Sequence, residues 1–145
     1  MLVLRRAFVA AAVAWAALLP VATALRPSGP SALAWAVYLV GGLVCHQRPE
    51  RSFHLWGAAM PVCARCTGIY VAGAVTALLA AAEIVRGAER AKGVLLLSVA
   101  PTAITLACEW MAFGTPSNWT RAVAGAPLGA AVSWVVVTGS PRRMR

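Results

Sequence analysis

The sequence predicts an all-α, polytopic transmembrane helix bundle of about five spans. Three observations carry that prediction. The 145 residues are 61% hydrophobic and only 12% charged, with a mean hydropathy of +0.76, whereas a soluble domain carries about 25% charged residues. Too little polar surface remains to cover a water-exposed shell, so lipid must solvate much of the chain. Five continuous apolar runs approach the roughly 20 residues a helix needs to cross a hydrocarbon core. None shows the period-two alternation of an outer-membrane barrel strand.

The first run, Ala7–Leu25, reads "AFVAAAVAWAALLPVATAL". Arg5, Arg6, the apolar core and the small residues Ala22–Ala24 also have the form of a secretory signal, and its cleavage would leave four spans. The second run, Ser31–Cys45, is short and has to borrow a turn from its flanks. The third is Thr67–Val85. The fourth, Gly93–Gly114, carries Pro101 inside, which neighbouring membrane helices can tolerate. The fifth is Arg121–Gly139. The chain thus divides into a first helix or signal-like segment with its linker (1–30), a four-helix membrane domain (31–139) and a basic tail (140–145). Turn chemistry marks the linkers: Arg26–Pro30 is a Pro/Gly break, Arg86–Gly93 a charged turn and Thr115–Thr120 a polar loop.

A formal net charge of +9 would suggest nucleic acid in a soluble protein. Here the arginines fall mostly between apolar runs, where they anchor helix ends at the headgroups. The expected partner is therefore the lipid bilayer, in the cell membrane, and not nucleic acid. The four cysteines do not read as a disulfide scaffold, because lipid already supplies the core.

Consecutive spans alternate direction, so each helix end can be assigned to one of two membrane faces. The second run ends at Cys45-His46, the third begins at Cys63-Ala-Arg-Cys66, the fourth ends near Cys108-Glu109 and the fifth begins at Arg121. On five alternating spans all four ends meet on one face. The sulfur, imidazole and guanidinium groups of segments 45–70 and 108–121 then form one polar cap. The same threading puts Arg5 and Arg6 on the cap face and Arg26 on the plain face. Lysine and arginine then divide almost evenly; setting aside the four cap arginines that could serve chemistry, the positive-inside rule places the plain face in the cytoplasm. The signal-like start argues for the opposite orientation.

Cys63 and Cys66 flank the start of the third helix, where exposed N–H groups favour anions and lower a thiol's pKa. Cys45, His46, Cys63 and Cys66 make a Cys-His…Cys-x-x-Cys set, whose ligand types suit zinc or a softer transition metal. The C-x-x-C half has the usual zinc spacing; neighbouring Cys45 and His46 rarely both reach one tetrahedral centre, and His54 is a substitute ligand. Alternatively the cysteines do thiol–disulfide chemistry, or are structural. Glu109, near the end of an apolar helix, costs several kcal/mol unless paired. Arg121 is its natural partner, with Arg51 and Arg65 as rivals. Glu109 is either a structural ion pair or, with Cys63 and Cys66, a catalytic candidate, as proton acceptor or cation ligand. Glu83 reads as snorkelling beside Arg86. Gly125-x-x-x-Gly129 is a small-residue seam, with Gly68 and Gly73 as its facing surface, and it also leaves helix–helix self-association open.

The blocks "CHQRPERSF", "PVCARCTGIYVAG" and "SNWTRAVAGAPLG" resemble a family of small prokaryotic membrane proteins, domain of unknown function 2085 (DUF2085). The resemblance covers roughly Leu39 to Gly129. It marks Cys45, His46, Gln47, Arg51, Ser52, Cys63, Arg65, Cys66, Thr67, Gly68, Tyr70, Asn118, Arg121 and Gly125, and Glu109 stands where an aspartate is expected. It implies the cap without naming its chemistry. Separately, "CARCTGIY" is similar to the Cys-x-x-Cys-x-Thr-x-Tyr segment of vitamin K epoxide reductase-like enzymes, which implies electron transfer between thiols and a quinone.

Three functions follow as expectations. The first is a metal-binding membrane protein with Cys45, His46, Cys63 and Cys66 as ligands and Arg51, Arg65 and Arg121 holding an anionic small molecule or lipid headgroup. The second is a quinone-linked thiol oxidoreductase using Cys63 and Cys66. The third is a non-enzymatic component whose cap is a structural staple.

Overall fold

The computed structural model describes residues 2–29, 31–84 and 91–139; the expectations for Arg86, Arg90 and the tail 140–145 lie outside the described residues. The described chain is an all-α bundle: α1 (Leu2–Leu25), α2 (Ala32–Val44), α3 (Ala64–Ala81), α4 (Ala91–Trp110) and α5 (Asn118–Thr138). A 3-10 turn (Pro49–Arg51) and two short strands, β1 (His54–Leu55) and β2 (Ala58–Ala59), lie between α2 and α3. Ser31 caps α2 by accepting from the Ala34 N–H at 3.4 Å, and Ser117 caps α5 by accepting from the Thr120 N–H at 3.1 Å.

Among the described residues four helices, α1, α3, α4 and α5, are long and apolar enough to cross a membrane. The 13-residue α2 rises only about 20 Å, short of a core about 30 Å thick. It borrows no turn. Its start is set by the Ser31 cap, and Cys45 after it is extended (φ −147°, ψ 142°).

The direction of α1 follows from its contacts at both ends. The Arg5 guanidinium donates to the carbonyls of Ala80 (2.7 Å) and Ala81 (3.2 Å), at the end of α3. A cation there satisfies carbonyls that the helix leaves open and complements its dipole. At the other end of α1, Leu19 and Ala22 are fully buried with Met60 and Val62, just before α3 begins. So α1 runs antiparallel to α3 and finishes beside the cap. Both ends of α2 are then on the cap side, one joined to Leu25 by the six residues 26–31 and the other abutting Cys63. This corrects the five-crossing thread. Among the described residues four helices are long enough to cross and α2 is not, and Arg5 and Arg6 then belong to the plain face while Arg26 belongs to the cap face. The convergence of Cys45, the start of α3, the end of α4 and the start of α5 survives the correction.

The two strands form a hairpin with His54 opposite Ala59 and Leu55 opposite Ala58. Trp56 (φ 51°) and Gly57 (φ 77°) both turn through positive φ, the backbone of a tight two-residue hairpin. Tryptophan in place of the usual asparagine or aspartate hides this turn from the sequence.

The glycine seam joins α3 to α5 as expected. A Cβ on Gly129 would lie 1.9 Å from the Ile69 carbonyl oxygen, one on Gly125 2.4 Å from that of Arg65, and one on Gly68 2.0 Å from that of Ala122. The backbones touch along three levels, which only glycine permits. The facing surface is therefore supplied within the chain.

Gly129→Ala should force α3 and α5 apart and cost about 1–3 kcal/mol or more. Gly93→Ala, in a helix with nothing within 4 Å of the new methyl, should be neutral or stabilising by up to about 1 kcal/mol. Unfolding temperatures in detergent measure both; equal shifts would refute the seam.

Candidate functional site

Cys45 reaches the start of α3 through a clamp built by Gln47. Gln47 adopts a left-handed backbone (φ 47°), folding its side chain back over α2. Its Nε2 donates to the Tyr38 carbonyl at 2.6 Å and the Pro61 carbonyl at 2.8 Å. Gly41 admits the Pro61 carbonyl, since a Cβ there would lie 2.4 Å from that oxygen. The Tyr38 hydroxyl donates to the Ala59 carbonyl, and the Arg26 guanidinium lies 4.5 Å above the Tyr38 ring. The end of α2 is thereby fastened to the segment that carries Cys63.

Cys63 is the N-cap of α3, and its N–H donates to the Cys45 sulfur at 3.2 Å. Cys66 follows one turn later. The three sulfurs of Cys45, Cys63 and Cys66 lie within 4.8 Å of one another and are all half-buried. A hydrogen bond from the Cys66 thiol is the largest influence on Cys63. With further bonds from Cys45 and backbone N–H groups, and against the opposing effect of burial, it holds the Cys63 thiol down to about 5. A thiol lowered in this way favours the thiolate, the form that binds metals and acts as a nucleophile.

His46 and His54 are exposed and stand outside this group, and Cys108 is half-buried and also outside it. The sulfur set is thus three cysteines, without the imidazole that the sequence paired with Cys45.

On another side of the same turn, Arg65 points away from the thiols into an ionic cluster. Glu109 Oε1 accepts from Arg65 Nη2 and Arg121 Nε, both at 3.0 Å, and Oε2 lies 2.9 Å from Arg51 Nη1. The expected partner and both rivals engage the carboxylate together. The Glu109 side chain is 3% exposed, so its charge is sustained by these arginines and not by water. Arg121 Nη1 also donates to Asn118 Oδ1 at 3.1 Å, and Asn118 Nδ2 donates to the Ser52 carbonyl at 2.9 Å. Phe53 packs on Trp119, ring centroids 5.0 Å apart. The segment bearing Arg51 is in this way tied to the start of α5.

Two contributors were not singled out from the sequence. Thr105 accepts from Arg65 Nη2 at 3.2 Å, and its spacing of four residues before Glu109 is the signal that places both on one helix face. Trp15 meets Tyr70 edge-on at 5.9 Å, a contact that depends on the direction of α1.

A family model described as a predicted membrane protein (DUF2085) matches residues 45–135, from the first cysteine of the cap into the last turns of α5. An uncharacterized protein of Methanothermobacter thermautotrophicus is 40% identical over 87 residues, covering 59% of this chain and 78% of that relative. An uncharacterized protein of Methanocaldococcus jannaschii is 59% identical over 34 residues, 23% of this chain and 22% of that relative. No solved structure matches.

Glu109→Gln should strip three guanidiniums of their shared anion. Breaking a buried pair from one side costs about 3–5 kcal/mol, so the unfolding temperature should drop sharply, and Glu109→Asp should keep more of it. A glutamine variant as stable as the parent would show that the cluster holds nothing together.

Proposed function

The chain belongs to the DUF2085 family of membrane proteins, and from that premise we propose that it is a membrane metal–thiolate protein. Cys45, Cys63 and Cys66 hold one thiophilic transition metal of the zinc class. The observation that supports this is the approach of three sulfurs within 4.8 Å on two separate chain segments. Zinc–sulfur bonds of about 2.3 Å put tetrahedral sulfurs about 3.8 Å apart, so a small inward movement completes the set. Thiolates select zinc, copper(I) or iron–sulfur centres over hard cations. Three protein ligands leave one coordination position to an exogenous group, the pattern of sites that act on something. His46 is a second-choice ligand that would have to swing inward to take that position.

Orientation follows from the corrected thread. Arg5, Arg6 and Lys92 lie at the plain end, against Arg26 and Arg48 outside the ion cluster at the cap end. On the cap side Arg51, Arg65 and Arg121 are engaged with Glu109. The positive-inside rule then puts the plain face in the cytoplasm and the thiols on the other side of the cell membrane.

A second reading rests on different features. The Cys63 and Cys66 sulfurs lie within 4.8 Å of each other, and an apolar cavity of about 430 Å³ between α1, α3 and α5 is walled by Trp15 and Tyr70. Tyr70 is one turn from Cys66. The two thiols would close to a disulfide, passing two electrons and two protons to a quinone that leaves as the quinol.

Elemental analysis of the purified chain separates the readings. The metal reading expects about one ion per chain, lost in Cys45→Ser, Cys63→Ser and Cys66→Ser but kept in Cys108→Ser and His46→Ala. A metal-free protein with a reducible Cys63–Cys66 bond would replace it with the thiol reading. For orientation, an impermeant maleimide on intact cells should label a cysteine introduced at the exposed Arg48 and spare one introduced at Arg6; the reverse pattern would overturn the placement.

A further inference from the structure

The ionic cluster holds more positive charge than its carboxylate balances. Three guanidiniums surround one Glu109, leaving an excess of two. Among the described residues no second carboxylate touches them; Glu50, beside Arg51 in the 3-10 turn, is exposed and is not a partner. Arg121 and Arg65 are deeply placed, with side chains 8% and 15% exposed. Arg65 Nε is buried with no acceptor, and Glu109 Oε2 has no aligned donor although Arg51 Nη1 lies 2.9 Å away. Two of the three arginines are therefore locked by Thr105, Asn118 and Glu109. Arg51 is different. Its side chain is 39% exposed, and it meets the carboxylate by proximity without a formed fork.

Uncompensated charge at the end of a membrane bundle is costly unless an anion answers it. Planar guanidinium forks fit the tetrahedral oxygens of phosphate, which can accept several donors at once. We propose that the Arg51–Arg65–Arg121 cluster is a binding site for a phosphate-class oxyanion, with Arg51 as the arm that turns from Glu109 to the ligand. Glu109 holds the two inner arginines in place while the site is empty and remains bound to them when it is filled. The phosphate can come from a soluble molecule or from an anionic lipid headgroup, because the cluster sits at the headgroup end of the bundle. The site uses none of the proposed metal ligands, since Arg65 leaves α3 on a different side from the thiols.

The test uses the full chain, treated with chelator so that metal plays no part. Inorganic phosphate is titrated in phosphate-free detergent buffer while the unfolding temperature is followed. The same measurement compares nanodiscs of phosphatidylcholine alone with nanodiscs that also contain phosphatidylglycerol. Saturable stabilisation by free phosphate assigns a soluble ligand; stabilisation only by phosphatidylglycerol assigns the headgroup. In either case Arg51→Gln should weaken the response at least tenfold. Arg48→Gln removes the same charge from an exposed position elsewhere on the cap and should leave the response within twofold. Circular dichroism checks that Arg51→Gln folds, and Arg51→Lys, which keeps the charge but not the fork, should fall between. No response to either probe, or equal loss in Arg51→Gln and Arg48→Gln, would overturn the proposal, the latter showing only a diffuse basic surface.

Discussion

The cap depends on a single carboxylate. Glu109, near the end of α4, is the anion on which Arg51 of the 3-10 turn, Arg65 of α3 and Arg121 of α5 converge. Four chain segments are thereby fixed to one point. In lipid there is little hydrophobic gain from bringing apolar helices together, because the tails are as apolar as the side chains. Polar contacts that cannot be satisfied by lipid therefore carry more of the specificity. The contacts around Glu109 are of this kind, and they reinforce α4, a half-covered helix in which Ser98 alone is buried and whose Thr102 hydroxyl donates to the Ala124 carbonyl of α5.

The second constraint is the approach of α3 and α5. Gly125 and Gly129 let the carbonyls of Arg65 and Ile69 press against the α5 backbone. That contact sets the height of Arg65 relative to Arg121, one turn before Gly125. Two like charges are thus driven together by close packing, and the acid on α4 is what makes the arrangement tolerable. The seam and the ion cluster are coupled: without the glycines the guanidiniums separate, and without the carboxylate they repel. On the other side of the bundle, the Gln47 clamp does for Cys45 what the seam does for Arg65, by fixing backbone to backbone near a reactive side chain.

Much of this was legible in the sequence, for reasons that can be named. The four long apolar runs identify their helices by length alone. Gly125, Gly129, Gly68 and Gly73 announced the seam through spacing, and an acid near the end of an apolar helix required cationic partners wherever the chain could supply them. The direction of α1 was not legible. It rests on Arg5 reaching the last carbonyls of α3 and on Leu19 and Ala22 packing beneath the loop before α3, both contacts between residues far apart in sequence. Once α2 was counted as a crossing, Arg5 and Arg26 were assigned to the wrong faces together. The 15-residue run at Ser31–Cys45 was the warning, because it fell short of a span. For the thiols, sequence spacing picked out Cys63 and Cys66, and adjacency suggested His46 as a companion to Cys45. The extended backbone at Cys45 and the left-handed turn at Gln47 explain why only the sulfur joins: successive side chains in extended chain point to opposite sides.

The two clusters share one helical turn, and their charges have opposite tendencies. Residues one apart on a helix are about 100° apart in direction, so Arg65 and Cys66 leave α3 toward different neighbours. Cys66 packs with the α1 and α2 side of the bundle beside Cys45 and Tyr70, while Arg65 reaches α4 and α5. A divalent metal held by three thiolates would carry a net charge of about −1, and the guanidinium cluster beside it has two positive charges beyond those Glu109 balances. Neither group is well placed in isolation at the rim of a low-dielectric bundle. Set on adjacent faces of one helix start, each lowers the electrostatic cost of the other. That mutual support is a physical reason for so much sulfur and arginine to occupy one short stretch of an otherwise apolar chain.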